Sequence, residues 1–569
     1  MKRLYTAFVT TILATAAATA QTSFPDAKYR INNKQTAERV AARLGIKAFS
    51  TLTAGKAQKA KRLTPAQVEA QGLPTEIITE QPAGTLHDNY YRTGQGFVNM
   101  FGEIVNVPSD GNVGRIVVAD DNQTVYIKNI LNSYDTNAWV KATRGTGDTL
   151  EIKLPQYILK QEDAADEDAF DGYLFKMKTQ KVTYEGEQYT TFVPDDDQTI
   201  KFVWRNDSLA FVNSQKDSKL LGLCYSDSTW TGFADYLSYF IPFSEQPTKP
   251  ADATKAQDYA LLYLDSGIEA GRVVKVVNEG SDIYVGGLCD NLPDAWVKGT
   301  IKGDSLHFDA HQYMGIDPKM DRYTFFEPLS LTQDDEYFDV YNIADGIDFS
   351  YDESEMTFYT DSIFAVNQGR YSVNTTTQFE EAQFSPWEDM AAAPMAATDL
   401  YYEPYDEEIG YGLLTFAPYE FTDNGDLLDP NKIYYNIYLD DNVMTFYPDE
   451  YTDMAQEMTD IPFKYTNEET IVDNAGMRVI KIFSEGFDRI GVQMVYTGAG
   501  EVNKSDIVYT SATGDDPDAI HNVTANGQPL STTFTDLSGR RVAAPSRGIY
   551  VKTIRYANGA VKAVKTLVK

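Results

Sequence analysis

Two of the chain's four histidines stand in LHFDAHQY, where His307, Asp309 and His311 alternate. Successive strand residues point to opposite faces, so these three would share one face, with two imidazoles and a carboxylate in reach of one metal ion. A related phrase in the same chain supplies a control. LEIKLPQY carries Glu151, Lys153 and Pro155 at the corresponding positions, while Leu150, Ile152 and Leu154 stand against Leu306, Phe308 and Ala310. Apolar positions are kept and polar ones vary, which is the pattern of an exposed face, so no metal site is expected there. The acidic runs EDAADEDAFD (162–171) and PDDDQ (194–198) lack the spacing of a calcium loop and read as solvated loops, with calcium the lesser reading and no other cofactor implied.

Catalytic signatures are missing: the sequence has no HExxH, GxSxG, phosphate-binding loop or dinucleotide fingerprint. A glycosidase needs only two carboxylates, and among 83 acidic residues that requirement selects nothing. No catalytic residue is assigned, and a non-catalytic protein is expected. Trp and Tyr faces can stack on sugars, which makes Trp230 and Tyr236 in STWTGFADYLSYF the ligand-binding candidates, with Tyr401, Tyr402 and Tyr405 a further aromatic cluster. Strands are rich in aromatic core and cross-strand pairs, which is the competing reading of each.

The elements that must position these residues read as all-β. A chain of 569 residues exceeds one core and calls for three to five units of roughly 100 to 200 residues. Its 38 Tyr and 29 Phe, with Gly and Pro spread throughout, favour strands joined by turns. AWVKATRGTGDTL, from Ala138, and AWVKGTIKGDSL, from Ala295, are near copies. The likeness extends from GRIVV at Gly114 and GRVVK at Gly271 to Ile200, Phe202, Trp204, Leu209 and Phe211 against Ile347, Phe349, Tyr351, Met356 and Phe358. A whole domain is therefore duplicated, as a β-sandwich or β-barrel of alternating hairpin strands. Trp139 and Trp296 are expected to anchor its core. Gln156-Tyr157 and Gln312-Tyr313, also shared, are read as hydrogen-bonding residues beside the core or as pocket lining.

Residues 1–20 read as a signal peptide: Lys2 and Arg3, an apolar run, then Ala18-Thr19-Ala20. Residues 21–84 hold two short helix candidates, in NNKQTAERVAARLG and in LTPAQVEAQG, where Thr64 and Gln67 form a capping box and Gly72 ends the helix. They are a helical pro-segment or a decoration of the next domain. The repeats are placed at 85–246 and 247–390, joined by the polar SEQPTKPADAT (244–254). Residues 391–513, introduced by the linker-like DMAAAPMAATD (389–399), look like a fibronectin type III or immunoglobulin-like sandwich by strand pattern. No segment after the leader is long and apolar enough to span a membrane. A net charge of −34 disfavours nucleic acid as a partner. Cys224 and Cys289 are either one disulfide or two buried thiols.

The last unit, 514–569, is basic, and its DLSGRRV (536–542), RGIYVK (547–552) and Lys-ending terminal strand come in an order that resembles the C-terminal sorting domain of proteins exported by type IX secretion. The resemblance implies a small β-sandwich serving export and surface attachment, with the export machinery as partner. The full arrangement is similar to uncharacterised multidomain surface proteins that carry such tails. The chain is thus expected to be secreted or held on the outer cell surface, via the periplasm, and to bind an extracellular glycan or protein. A structural envelope or fibre component, or a secreted hydrolase, is the alternative.

Overall fold

The computed structural model describes residues 63–100, 103–161, 170–184, 187–212, 219–265, 267–333, 339–451, 453–467, 469–474, 476–512, 529–535, 541–542, 548–556 and 561–568. The protein is all-β, with 59% strand and 3% helix. The leader and the first helix candidate lie outside the described residues. The second candidate is helix α1, Pro65–Ala70, with the Thr64–Gln67 capping box formed and Gly72 at φ +69° beyond its end. Val68 and Leu73 bury against Phe97, Tyr173 and Phe175, so this segment decorates the first repeat.

The first repeat is β1 (Thr85–Met100), β2 (Glu103–Val118), β3 (Thr124–Lys128), β4 (Trp139–Arg144), β5 (Thr149–Lys153), β6 (Gln156–Gln161), β7 (Phe170–Tyr184), β8 (Glu187–Pro194), β9 (Thr199–Arg205), β10 (Ser208–Val212), β11 (Leu220–Tyr225) and β12 (Trp230–Pro242). Antiparallel ladders run β1-β2-β3-β4-β5-β9-β10-β12 and back to β1, closing an eight-stranded barrel. Closure removes the unpaired sheet edges that a sandwich would leave. Long β12 also pairs β11, which pairs β7, and β7 pairs β6 and β8 in a flanking sheet.

The second repeat repeats this order with β13 (Gln257–Asp265), β14 (Ile268–Glu279), β15 (Asp282–Gly286), β16 (Trp296–Lys302), β17 (Ser305–Asp309), β18 (Gln312–Asp317), β19 (Arg322–Gln333), β20 (Asp339–Ile343), β21 (Gly346–Asp352), β22 (Thr357–Tyr359), β23 (Ile363–Gln368) and β24 (Thr375–Pro386). Its ring is β13-β14-β15-β16-β17-β21-β22-β24, closed by β24 on β13. The flanking sheet is β24-β23-β19, with β18 and β20 on β19.

Alternation decides what fills each barrel. In the duplicated phrase, Ala138, Val140 and Ala142 join one core, and Ala295 and Val297 join the other. The intervening tryptophans therefore face outward, which corrects their expected role as core anchors. Trp139 is buried outside the ring, and its backbone N–H donates to Ile78 O at 2.8 Å. Trp296 is half-buried with its ring against Gly286, where a Cβ would meet it at 3.0 Å.

The shared glutamines are backbone staples. Gln156 Oε1 accepts from Lys141 N (2.8 Å), and its Nε2 donates to Lys141 O (2.8 Å) and Lys153 O (2.9 Å). Gln312 does the same for Lys298 N and O (2.7 and 2.9 Å) and Asp309 O (3.0 Å). Each amide stands in for a neighbouring strand where the chain leaves the barrel for the flanking sheet. Gln156→Ala is expected to destabilise the first repeat by about 1–2 kcal/mol, read as a lower urea midpoint at unchanged slope.

Residues 398–511 form two sheets. One orders β25 (Thr398–Asp406), β26 (Tyr411–Ala417), β31 (Met477–Ile482) and β30 (Ile471–Asn474). The other orders β28 (Asn442–Val443), β27 (Ile433–Leu439), β32 (Arg489–Tyr496) and β33 (Asn503–Lys504), with β29 (Ile461–Pro462) on β27 and β34 (Val508–Ser511) on β32. Phe416, Ile480 and Ile482 of the first sheet and Tyr435, Ile437, Val492 and Met494 of the second share one buried core. The tail was expected to be a sandwich; its described strands β35 (Pro529–Thr535), β36 (Arg541–Val542), β37 (Gly548–Tyr556) and β38 (Val561–Val568) form one antiparallel sheet, ordered β36-β35-β37-β38. Ser538-Gly539 of DLSGRRV lies outside the described residues, and no helix among those described is long and apolar enough to cross a membrane.

Two buried carboxylates hold successive units together. Asp110 of β2 accepts from Tyr91 Oη (2.6 Å) and from the Tyr371 and Ser372 N–H groups (2.6 and 3.0 Å) of the second repeat. Arg322 Nη1 donates to Asp110 O (3.0 Å), the Gly111 and Gly369 backbones touch, and Tyr91, Val113, Tyr323 and Phe325 close an apolar cluster around them. At the next boundary Glu420 Oε1 accepts from Gly271 N (2.7 Å), and Lys464 pairs with Asp290 (2.8 Å). The linker-like 389–399 is also tied down, since Asp389 accepts from Tyr496 Oη (2.6 Å), Lys432 Nζ (2.7 Å) and Ala499 N (2.8 Å). Burial alone would raise the Asp389 pKa, but these donors hold it at about 2.

Candidate functional site

The histidine phrase does not assemble a metal trio. His307 Nδ1 lies 2.8 Å from Asp348 Oδ1 and its Nε2 lies 3.3 Å from the exposed Asp309. His311, at φ +59°, turns away to Glu327 of β19, with Nδ1 at 2.9 Å from Oε1 and its N–H donating to Oε2 at 2.9 Å. Burial raises the Glu327 pKa against the pull of His311. Among the described residues no group of three or more His, Cys, Asp or Glu side chains is placed to hold a metal ion. Zinc or nickel titration followed by metal analysis is expected to find no stoichiometric ion; an ion bound one to one and lost in His307→Ala would overturn this.

The acidic run at 194–198 serves lysines. Lys176, whose side chain is 3% exposed, reaches Asp197 (2.9 Å) and Asp195 (3.3 Å), and Lys178 reaches Asp196 (2.6 Å). The run is nonetheless a solvated loop, with the Asp196 and Asp197 side chains 96% and 71% exposed, and it supplies the buried lysine with its counter-charges. Most of the run at 162–171 lies outside the described residues.

Of the stacking candidates, Tyr236 is buried, stacked on Phe97 (4.9 Å) and hydrogen-bonded to Asn106 Oδ1 (2.6 Å), so it offers no ring face to a sugar. Trp230 is half-buried, packs edge-on to Phe192 (4.7 Å) and donates its Nε1–H to Phe233 O (2.9 Å). Tyr401 is exposed and Tyr402 buried. Cys224 and Cys289 are free, buried thiols in separate cores.

The richest unassigned chemistry lies at one end of the first barrel. In each barrel an arginine grips the loop after the third strand. Arg92 of β1 donates from Nη1 to Asn129 O and from Nη2 to Ile130 O (2.7 Å). Arg272 of β14 donates from Nη1 to Leu288 O (2.7 Å) and Gly287 O (3.4 Å). The carbonyls are equivalent, because Lys128 pairs with Trp139 as Gly286 pairs with Trp296, which sets Asn129 and Ile130 against Gly287 and Leu288. The arginines are not equivalent. Arg92 faces Asn112 across one ladder, and Leu261 faces Arg272 across the other.

Around this shared grip the copies diverge. Arg92 pairs with Phe240 as Leu261 pairs with Phe384, and Leu221 pairs with Asp235 as Phe364 pairs with Phe379. Asp235 thus stands where the second copy has Phe379, Ser238 where it has Ala382, and Gly94, two residues past Arg92, where it has Tyr263. In the second barrel Arg272 lies over the Tyr263 and Phe379 rings, 5.8 and 5.5 Å away. In the first both rings are gone, and Asp235, fully buried, accepts from the Asn132 and Ser133 N–H groups, the latter at 3.1 Å. Burial pushes Asp235 up to about 6, against the pull of these donors and of Arg92, and burial lowers Arg92 to about 10. Asn132 Nδ2 fills the space over Gly94 and donates to Leu237 O (3.1 Å).

Six buried polar atoms there have no hydrogen-bond partner: Arg92 Nε, Asn129 Oδ1, Asn132 Oδ1, Ser133 Oγ, Thr136 Oγ1 and Ser238 Oγ. Among the described residues, the second copy's loop contributes none, and its Arg272 Nε is the counterpart of Arg92 Nε. Sequence reasoning missed this cluster because its members come from β1, one loop and β12, and each is ordinary alone. No protein-family model matches the chain, and no curated protein matches it in sequence.

Proposed function

We propose that this is an exported, non-catalytic protein of the cell surface or extracellular space whose tandem barrels bind an extracellular ligand, a glycan or a protein. The supporting observation is the divergence of two barrels of one design. At this end the second surrounds its gripping arginine with Tyr263, Phe379 and Ala382, while the first carries Asp235, Ser238 and unpaired loop groups that the second barrel does without. Export and surface attachment rest on the signal-like residues 1–20 and the sorting-like tail. The two-sheet unit fits an immunoglobulin-like or fibronectin type III spacer, since the four-strand sheet β25-β26-β31-β30 packs on a sheet centred on the pair β27 and β32.

A second reading, a structural envelope component, draws support from Asp110 and Glu420, which fasten three successive units into a stiff body. Probing the protein, freed of its leader, on an array of glycans and extracellular-matrix proteins tests the first reading. Saturable binding is expected; no binding, together with self-assembly seen by light scattering, would favour the second.

A further inference from the structure

We infer that the polar end of the first barrel, bounded by Arg92, Asn132, Asp235 and Ser238, is the ligand site and receives the hydroxyl edge of a small polyhydroxylated molecule such as the terminal sugar of a glycan. This rests on reading the chain as a binding protein and names the site and the ligand class.

The internal duplicate carries the argument. At equivalent ladder positions the second barrel places Leu261, Phe379 and Ala382, all buried in its apolar core, and it needs only the gripping Arg272 as a polar group there. The unpaired atoms that the first copy has and the second lacks, Ser238 Oγ and those of the loop, carry a penalty, because each polar atom left unpaired in the interior destabilises the fold by about 1–3 kcal/mol. The exchange also removes volume, since Gly94 and Asp235 stand in place of two aromatic rings. Loop residues Asn132 and Ser133, themselves half-buried, fill part of that space and form its boundary with solvent, beside the exposed Asp135.

The unpaired atoms select the ligand. Two are amide oxygens that only accept, three are hydroxyls that donate or accept, and one is a guanidinium N–H that only donates. A neutral hydroxyl complements all three kinds, giving its proton to an amide oxygen while accepting from Arg92 Nε. An anion would face Asp235 and the amide oxygens. A metal ion would face the Arg92 charge, with both Asp235 oxygens already accepting backbone N–H groups. Entry requires movement of the 129–137 loop, which carries four of the six unpaired atoms and covers those of Arg92 and Ser238, since all six are buried.

The test is titration calorimetry of the full chain, freed of its leader, with glucose, galactose, mannose and N-acetylglucosamine. Ser238→Ala, which copies the second barrel, and Asn132→Ala are the variants, and thermal melts confirm that both fold. One sugar is expected to bind saturably at one site, with affinity reduced at least tenfold in either folded variant. The inference falls if no sugar saturates, which leaves these atoms to internal water, or if binding is indifferent to both variants. Array binding that persists in Ser238→Ala would sink this site while leaving the broader binding reading intact.

Discussion

Asp110→Ala is expected to lower the melting temperature of the paired repeats by several degrees and to split their unfolding into two transitions. The carboxylate is buried, with its pKa raised by burial against hydrogen bonds from Tyr91, Tyr371 and Ser372. Alanine would leave the Tyr91 hydroxyl and two backbone N–H groups unpaired at a dry boundary, a loss of roughly 3 kcal/mol or more. Part of that loss is returned because the buried charge disappears too. Since these donors straddle the boundary, the change uncouples the repeats rather than melting either core. Calorimetry would resolve the two transitions, and trypsin would cut after the exposed Lys255 at the end of the linker. A single transition at the wild-type temperature would refute the coupling role.

Glu420→Gln should change how stability depends on pH. Burial pushes Glu420 up to about 7, against the Gly271 N–H and the nearby Arg272 and Lys464 charges, from an ordinary value of 4.5. The folded protein therefore keeps a proton that the unfolded chain has lost between these two values. By linkage, unfolding free energy falls as pH rises through this window and stays low above it. Glutamine keeps the oxygen that accepts from Gly271 but cannot ionise. The variant should match the wild type near pH 4.5 and exceed it at pH 8 by on the order of 3 kcal/mol, judged from urea midpoints. An equal difference at both pH values would sink the assignment.

The duplication was legible because strand alternation preserves apolar positions, and those survive divergence. Pairing was not, because a ladder depends on distant partners. The sequence match sets Gly114-Arg115 on Gly271-Arg272, but Ile116 pairs with Ile127 and that with Val140, as Val276 pairs with Val285 and that with Val297. From the second to the fourth strand of the ring the second copy is thus three residues shorter, and the matching arginines are three positions out of step. Likewise Leu209 pairs with Trp204 as Phe358 pairs with Tyr351, so Met356 falls in a turn at φ +52° and is not the partner of Leu209. His311 gave a truer signal. It replaces Pro155 between matched strands, and the ladder sets its partner Glu327 where the first copy has Phe175, so two positions changed together.

The arginine grip shows that what must be supplied is a pair of donors at a place, whichever strand delivers them. Because neighbouring strands put cross-paired side chains side by side, the cation could migrate from one to the other without leaving the loop carbonyls ungripped, provided both strands carried it for a time. A present-day chain with Asn112→Arg added to Arg92 would recreate that doubly charged intermediate, and its stability would measure how open that route was.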